Sequence, residues 1–380
     1  MTRASIQRVH LLATVGRMTP EPAPVPVRDE RGPFVGELGE LALLDRILNR
    51  LPTAPSLPLG PGDDAAVLAA PDGRVVVTTD TMIEGPDFRR SWSSPEQLGR
   101  KAVTSNLADV AAMGAAPTGI TVALAVPSQL PAEWAERFAD GIRDELQASA
   151  PGCGVIGGDL ATSERIVIAI TAFGDLENRA PVRRTGAQAG DVLALAGEAG
   201  TSAAGLRILF AHVDDEASSH GMGELGHDLC TRDEHTAALL RAHLEPRAPI
   251  AAGRAAALAG ATGMLDVSDG LLLDATRLAN ASGVTLDLRA EAFTPWTRPL
   301  DDHLAVALPL ARSRERVPSA LELVLGGGEN HALLATFPPD ATLPHPFRPI
   351  GEVHDREASA APVTLDGVAQ DALGWDPYAR

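Results

Sequence analysis

Apolar residues recur every three to four positions along several stretches of this 380-residue chain, a spacing that predicts amphipathic helices. The first predicted helix covers residues 38–51. A second one follows Ser94, which has the side chain of a good N-cap, and Gly114 stands after its last turn. Thr201 is a candidate cap for the helix in "TSAAGLRILFA". Further helices are predicted over 131–149, 234–243, 247–260 and after "LDVSDG".

Short runs rich in Val, Ile, Leu and Thr lie between these helices and predict strands. We expect strands at 65–70 and 74–80, a Gly-Gly-Asp turn in "GVIGGDLATS", and a strand, glycine turn and strand in "ALELVLGGGENHALLATFPP". Residues 212–234 are polar and glycine-rich, which predicts a mobile loop. The alternation of strands and helices with hairpin-like returns indicates a layered α+β (α/β) architecture.

The length of the chain favours two domains. We expect a disordered, proline-rich leader over 1–35, an N-terminal domain over 36–176 that binds metal and nucleotide, and a C-terminal α/β domain over 177–380. Met18 is a second candidate for the start of translation.

The formal net charge of -18 disfavours a nonspecific nucleic-acid binder and an anionic membrane surface as partners. It leaves phosphate substrates open, because bound divalent cations reverse the local field. The two cysteines, Cys153 and Cys230, are not in a CxxC pair, which disfavours zinc and iron–sulfur sites and favours a reducing cytoplasm. No apolar run approaches the roughly 18 residues of a membrane span.

Aspartates stand at the edges of several apolar elements, beginning with the adjacent pair Asp63 and Asp64 in "LGPGDDAAVL". Two neighbouring carboxylates next to an apolar strand are tolerable if a cation neutralises one of them. Scattered carboxylates that converge on one cleft suit hard divalent cations such as Mg2+, which prefer oxygen ligands. The candidates for this cluster are Asp64, Asp80, Asp109, Asp159, Asp266 and Asp269.

The chain has neither a GxxxxGK[ST] loop nor a protein-kinase signature set, so a nucleotide would need another cradle. The glycines at 157–158 and 326–328 could offer unobstructed backbone N–H groups. Arg183 and Arg184 could offer guanidinium groups to phosphate oxygens.

Eight stretches in this order resemble the thiamine-monophosphate kinase family, of the superfamily that includes aminoimidazole ribonucleotide synthetase and selenophosphate synthetase. They are "GPGDDAAVL", "TTDTMIEG", "KAVTSNLADVAAMGAAP", "GGDLATS", "RRTGAQAGD", "TSAAGL", "LDVSDGLLLD" and "LGGGEN", and the resemblance covers about residues 36–378. It implies a two-domain aminoimidazole ribonucleotide synthetase-like fold, with an N-terminal mixed sheet, a C-terminal α/β sandwich and a homodimer. Selenophosphate synthetase itself is disfavoured, because no cysteine stands in the N-terminal segment.

The resemblance also implies transfer of the ATP γ-phosphoryl group to thiamine monophosphate, with several Mg2+ ions. It assigns catalytic roles to Asp80, Asp109 and Asp159, and nucleotide contacts to Gly158, Arg184 and Ser268. It assigns acceptor contacts to Asp87, Glu329 and Trp375. Its implied metal ligands are Asp64, Thr78, Thr79, Asp80, Asp109, Asp159, Asp266 and Asp269.

Two departures from the family pattern fall on the implied acceptor side. Asp87 stands where the family usually has His, and Glu329-Asn330 stands where it usually has Glu-Asp. Two alternatives therefore stay open: an enzyme of the same superfamily with another phosphate, carboxylate or amide acceptor, and a non-catalytic regulator that binds nucleotide or thiamine. The implied acceptor is a phosphate monoester, largely ionised near neutral pH, so the reaction needs no strong general base. In keeping with this, no motif shows a histidine flanked by a carboxylate.

Overall fold

The computed structural model describes residues 32–52, 54, 58, 65–212, 223–307 and 318–375. The strands in this part of the chain form two sheets, one of four strands and one of seven. The smaller sheet has the order β1-β4-β2-β3, in which β2 and β3 are parallel and the other neighbours are antiparallel. Its strands are β1 (Val76–Ile83), β2 (Ala116–Val126), β3 (Gly154–Thr162) and β4 (Val167–Asp175).

One face of the smaller sheet is covered by long helices. The helices of this half are α1 (Val35–Leu38), α2 (Glu40–Leu48), α3 (Pro95–Ala112) and α4 (Ala132–Ser149). Helix α3 begins where predicted, because the Ser94 hydroxyl accepts the Gln97 N–H at 3.3 Å and the Gln97 side chain accepts the Ser94 N–H at 2.9 Å. A Cβ at Gly141 of α4 would lie 2.1 Å from the Glu96 carbonyl oxygen, so glycine permits the close packing of α4 on α3.

The larger sheet has the order β11-β10-β7-β9-β5-β8-β6. Its strands are β5 (Val192–Ala196), β6 (Gly263–Val267), β7 (Val284–Leu288), β8 (Ala332–Phe337), β9 (Arg348–Asp355), β10 (Val363–Leu365) and β11 (Val368–Ala369). The helices of this half are α5 (Thr201–Ala211), α6 (Glu224–Cys230), α7 (Glu234–Leu244), α8 (Ile250–Leu258), α9 (Leu271–Ser282), a 3-10 helix (Ala290–Phe293), α10 (Thr294–Ala307) and α11 (Ala320–Gly326). Within the described ranges, no helix is both long and apolar enough to cross a membrane.

Helix α3 lies between the two sheets and is buried along most of its length. It contacts β1 and β4 of the smaller sheet and α8, β6 and β8 of the larger half. One hydrophobic core therefore runs from Leu107 and Ile170 to Met264 and Phe337. A side chain that projects from α3 can reach both sheets, which makes this helix the natural support of a site between them.

The mixed helix and sheet architecture confirms the predicted fold class, and α4, α7 and α8 lie where helices were predicted. The predicted turn at Gly157-Gly158-Asp159 is wrong, because these residues lie inside β3. The glycines serve the strand instead: Ile156 is skipped at a register shift, and a Cβ at Gly158 would lie 2.2 Å from the Val122 carbonyl oxygen.

Four other local predictions are also wrong. Residues 320–326 form α11 and not a strand, because Ser319 and Glu322 make a capping box and the helix buries Leu323. Gly200, in the left-handed region, caps α5 in place of Thr201. Helix α6 occupies part of the predicted loop 212–234, and no strand is described over 65–70.

Candidate active site

Three carboxylates from three different elements meet between the two sheets. Asp80 stands on β1, Asp109 on α3 and Asp266 on β6. The charges of Asp266 and Asp80 both add to the raised pKa of Asp109, and the charge of Asp266 adds to that of Asp80, so the three groups lie within electrostatic reach of one another. The structure thus brings together aspartates that lie up to 186 positions apart in the sequence, from Asp80 to Asp266.

Hydrogen bonds between β1 and α3 hold the first two carboxylates in place. The Thr78 hydroxyl donates to Asp109 Oδ2 at 2.8 Å, and the Asp80 N–H donates to Asn106 Oδ1 at 3.1 Å. Asn106 in turn donates to the Ala102 carbonyl at 2.9 Å. Because alternate strand residues point to the same face, Thr78 and Asp80 both face α3.

The surroundings of Asp80 and Asp109 disfavour the ionised form of both carboxyl groups. Burial, reinforced by Asp266 and Asp80, raises the pKa of Asp109 to about 6. Burial also raises the pKa of Asp80, with Glu329 and Asp266 adding to the effect. Among the described residues, no Lys or Arg forms a salt bridge with Asp80, Asp109 or Asp266.

A buried histidine lies beside Asp266. His331 is 5% exposed; its Nδ1 is 3.5 Å from Asp266 Oδ2 and its Nε2 is 3.1 Å from Ser105 Oγ. Burial lowers the pKa of His331, but the hydrogen bond and charge of Asp266 outweigh it, and the net shift is upward. His331 stands directly after the motif "LGGGEN", and it gains a carboxylate neighbour through the fold and not within a motif.

A lysine in the middle of α3 pairs with the glycine-rich loop. Lys101 is 5% exposed and its Nζ makes an ion pair with Glu329 Oε2. Burial opposes ionisation of Glu329, but Lys101, His243 and His331 outweigh it and lower the pKa of Glu329 to about 2. Glu329 and His331 both have positive φ values, 65° and 51°, a sign of backbone strain at this loop.

The two departures from the family pattern have different surroundings. Asp87 Oδ2 accepts the Ile83 N–H at 2.7 Å, and burial with the charge of Glu329 raises the pKa of Asp87. Asn330 is buried and donates to Thr201 Oγ1 at 2.9 Å. Asp87 therefore lies by the cleft, whereas the Asn330 side chain anchors the loop to the start of α5.

The turn after β6 joins three more of the predicted residues. The Glu329 N–H donates to the Ser268 carbonyl and the Trp375 N–H donates to the Asp269 carbonyl, both at 2.7 Å. Asp269 Oδ2 accepts from Arg277 Nη1 at 2.6 Å. Trp375 is 45% exposed, so its ring is accessible beside Ser268 and Asp269.

Four predicted residues are not joined to this cluster by any contact within the described part of the chain. The Thr79 hydroxyl donates to the Ile170 carbonyl at 3.0 Å, on the face opposite Thr78. Gly158 and Asp159 lie on β3, at the far edge of the smaller sheet from β1, three strand spacings or about 14 Å away. Arg184 lies at the far end of α9 from Ser268, since its carbonyl accepts from Ser282. Asp64 lies outside the described residues.

Three residues at this cleft were missed from the sequence: Lys101, Asn106 and His331. A signal existed for the first, because Lys101, Ser105 and Asp109 are spaced four apart in a predicted helix and so share one face. His331 carried no periodic signal, since it follows the glycine loop and precedes β8.

The donor chemistry of the cleft fits magnesium. Within the described ranges, no three His, Cys, Asp or Glu side chains are close enough to cage a metal by themselves. Mg2+ is commonly bound through one or two carboxylates, with water and substrate phosphates as the other ligands. Asp80 and Asp109 have raised pKa values and no Lys or Arg partner among the described residues, which suits that arrangement.

Comparison with known proteins shows which family this chain resembles. The family model "AIR synthase related protein, N-terminal domain" matches residues 62–176. A thiamine-monophosphate kinase of Mycobacterium tuberculosis is 41% identical over 347 residues, which is 91% of this chain and 93% of that protein. This chain belongs to the thiamine-monophosphate kinase family.

Two solved structures of this family share the fold. Thiamine monophosphate kinase from Aquifex aeolicus superposes with a TM-score of 0.65 at 30% identity, covering 88% of this chain and 98% of the other. A structure described as AaThiL complexed with AMPPCP and TMP gives a TM-score of 0.67 at 30% identity, covering 90% and 98%. The family assignment and the aminoimidazole ribonucleotide synthetase-like fold therefore rest on sequence and on structure.

Proposed function

We propose that this protein transfers the γ-phosphoryl group of ATP to the phosphate of thiamine monophosphate, giving thiamine diphosphate. Membership of the kinase family supports this activity, and so does the relative that carries AMPPCP and TMP. The observation that carries the proposal is the proximity of Asp80, Asp109 and Asp266, none of which forms a salt bridge with a Lys or Arg among the described residues.

We propose that Mg2+ occupies this cleft, held by Asp80, Asp109 and Asp266, with the Thr78 hydroxyl fixing Asp109. When bound, Mg2+ would neutralise the phosphate charges of donor and acceptor. The remaining implied ligands, Asp64, Thr79, Asp159 and Asp269, stay part of the proposal, as do the implied nucleotide contacts of Gly158, Arg184 and Ser268.

The residues of the chain supply positioning and electrostatics and no strong base. The acceptor phosphate has a second pKa of about 6 and is largely ionised near neutral pH. His331 is buried and engaged at both ring nitrogens, so it is not placed to accept a proton from a substrate. Transfer of a phosphoryl group depends mainly on alignment and charge stabilisation.

The acceptor heterocycle is proposed to lie near the turn after β6. The exposed ring of Trp375 offers an electron-rich face to a cationic heterocycle, and the Glu329 carboxylate stays ionised because Lys101 pairs with it. Asp87 adds a second carboxyl group near Glu329. All three positions agree with an acceptor that carries a positive charge.

We further propose a homodimer formed through the open face of the smaller sheet. That face exposes Val77 and Ile83 and leaves Ala169 and Phe173 only half-buried, whereas Ile168 and Ile170 on the other face are buried. A second copy of the sheet would cover this apolar surface. We also propose a boundary between the two domains at 176/177. The free thiols of Cys153 and Cys230 support a reducing cytoplasm as the location of the protein.

The proposal is tested by incubating the purified protein with ATP, Mg2+ and thiamine monophosphate, and measuring ADP and thiamine diphosphate. Equal amounts of both products support it. ATP turnover only with other phosphate, carboxylate or amide acceptors would favour another enzyme of the superfamily. Binding of ATP and thiamine monophosphate without any product would favour a regulator.

A further inference from the structure

We propose that His331 is a positioning residue that fixes the orientation of the Asp266 carboxylate in the cleft, with Ser105 holding the imidazole from its other side. This inference rests on the proposed function, because it assigns Asp266 to the Mg2+ site. It concerns a contact that runs from α3 through the glycine-rich loop to β6.

The backbone places the imidazole beside Asp266. Strand β8 pairs with β6 so that Ala332 faces Val267 and Leu333 faces Asp266. His331, just before β8, donates its N–H to the Val267 carbonyl at 3.1 Å. The ring is therefore carried by the residue directly before β8, and its position beside Asp266 depends on the pairing of β8 with β6.

The side-chain contacts engage both ends of the ring. Nδ1 is 3.5 Å from Asp266 Oδ2 and Nε2 is 3.1 Å from Ser105 Oγ. Ser105 is itself fixed, because its hydroxyl donates to the Lys101 carbonyl at 3.0 Å. Asp266, His331 and Ser105 are all buried, so each contact lies away from bulk water.

The contact between His331 and Asp266 lies beside the proposed metal site. His331 contacts Asp266 and lies within electrostatic reach of Asp80 and Asp109. A partner that orients a metal-binding carboxylate commonly changes metal affinity by 10- to 100-fold when it is removed. His331 is such a partner of the Asp266 carboxylate.

Two substitutions separate the two contacts of the ring. In His331→Asn the amide nitrogen takes the place of Nδ1 and can still donate to Asp266. In His331→Gln the amide nitrogen reaches the place of Nε2 and keeps the contact with Ser105 only. Both variants bury a polar side-chain amide at the same position. If His331 served only the stability of the fold, the two substitutions would therefore change Mn2+ binding to the same extent.

His243 provides a matched control. It is also buried, and its Nδ1 is 3.0 Å from Ser202 Oγ. No carboxylate hydrogen bond to His243 is found within the described part of the chain, so His243→Gln tests the loss of a buried, serine-bound imidazole without the loss of an Asp266 contact.

The readouts are Mn2+ binding, followed by electron paramagnetic resonance with AMPPCP present, and the thermal unfolding midpoint without metal. We expect His331→Gln to weaken Mn2+ binding about tenfold or more, and His331→Asn to weaken it by less than about threefold. His243→Gln should bind Mn2+ like the native protein. The two His331 variants should unfold at similar temperatures in the absence of metal.

Equal weakening in the two His331 variants would overturn the positioning role, and so would native binding in both. Weakening in His243→Gln as strong as in His331→Gln would also overturn it. Thiamine monophosphate is absent from these measurements, so a failure of the proposed acceptor appears only in the native product assay and is distinguishable from a failure here.

Discussion

Two acidic regions of this molecule differ in how their carboxylates are neutralised. On α4, the partly buried Glu136 pairs with Arg46 and Arg50 at 2.9 and 2.7 Å. Asp144, also on α4, pairs with Arg143 and Arg100 at 2.7 and 3.0 Å. In the cleft, Asp80, Asp109 and Asp266 have no such guanidinium partner among the described residues.

The pKa values of the two regions move in opposite directions. Burial alone would raise the pKa of Asp144, but its hydrogen bonds to Arg143 and Arg100 outweigh burial and lower it. Burial and neighbouring carboxylates raise the pKa of Asp109 to about 6. The same residue type is therefore stabilised as an anion on α4 and destabilised as an anion in the cleft. The comparison teaches that acidic side chains alone do not mark the candidate metal site. What marks it is that these carboxylates have no Arg or Lys partner among the described residues.

The largest effect is expected for Asp109→Asn. We expect turnover to fall by about 10²- to 10³-fold, the range for removal of one preorganised electrostatic group. The metal-free protein should become more stable by about 1–3 kcal/mol, because the variant removes an anion whose ionisation opposes folding. The measurements are steady-state kinetics and denaturant unfolding with EDTA. Near-native turnover would contradict the metal-cluster account.

The second effect is the pH dependence of that stability difference. The folded-state pKa of Asp109, about 6, lies above the ordinary value of 3.8. Ionisation of Asp109 therefore costs stability: the cost is absent below pH 3.8, grows as the pH rises, and is complete above about pH 6. The stability gain of Asp109→Asn should appear over this window. A gain that is constant from pH 4 to pH 7 would contradict the raised pKa.

A third test breaks the one Lys pair that borders the cleft. Lys101→Met removes the ammonium group that pairs with Glu329, so the free energy of unfolding should fall by about 1–2 kcal/mol. This loss is smaller than that expected for a fully buried ion pair, because the Glu329 side chain keeps some exposure. The double variant Lys101→Met/Glu329→Gln should recover most of this loss. Denaturant unfolding measures both, and a double variant no more stable than the single one would argue against direct pairing.

The smallest effect is expected on α4. Asp140 is partly buried and contacts Arg50 and Arg143, whose side chains are about a third exposed, so Asp140→Asn should cost about 1 kcal/mol of stability or less, and salt should reduce that cost. Turnover should stay at the native level. A large loss of turnover in Asp140→Asn would remove the distinction between the two acidic regions.

The sequence predicted the fold class and most long elements, because their signals are local. Ser94 and Gln97 mark the start of α3, and apolar spacing marks α4, α7 and α8. Residues 320–326 were misread because "ALELVLG" also suits a buried strand, and only the Ser319–Glu322 capping box favours a helix. The glycines at 157–158 were misread because they serve a strand pairing that is not visible in the sequence.

The cleft could be predicted only in part. Asp80, Asp109 and Asp266 were predicted from motif positions, whereas His331 was missed because its contacts with Asp266 and Ser105 join residues distant in the sequence. The spacing of Lys101, Ser105 and Asp109 marks a shared helix face, but it gives no sign of the partner of Lys101, because Glu329 lies 228 positions away, from 101 to 329. Partners across a core depend on packing and not on spacing.

The most direct test of the central claim is the anomalous diffraction of Mn2+ in crystals grown with Mn2+, AMPPCP and thiamine monophosphate. The account predicts at least one anomalous peak within coordination distance of carboxylate oxygens from Asp80, Asp109 or Asp266, between the phosphates of the two ligands. Ordered ligands with no anomalous peak near any of these three carboxylates would contradict it.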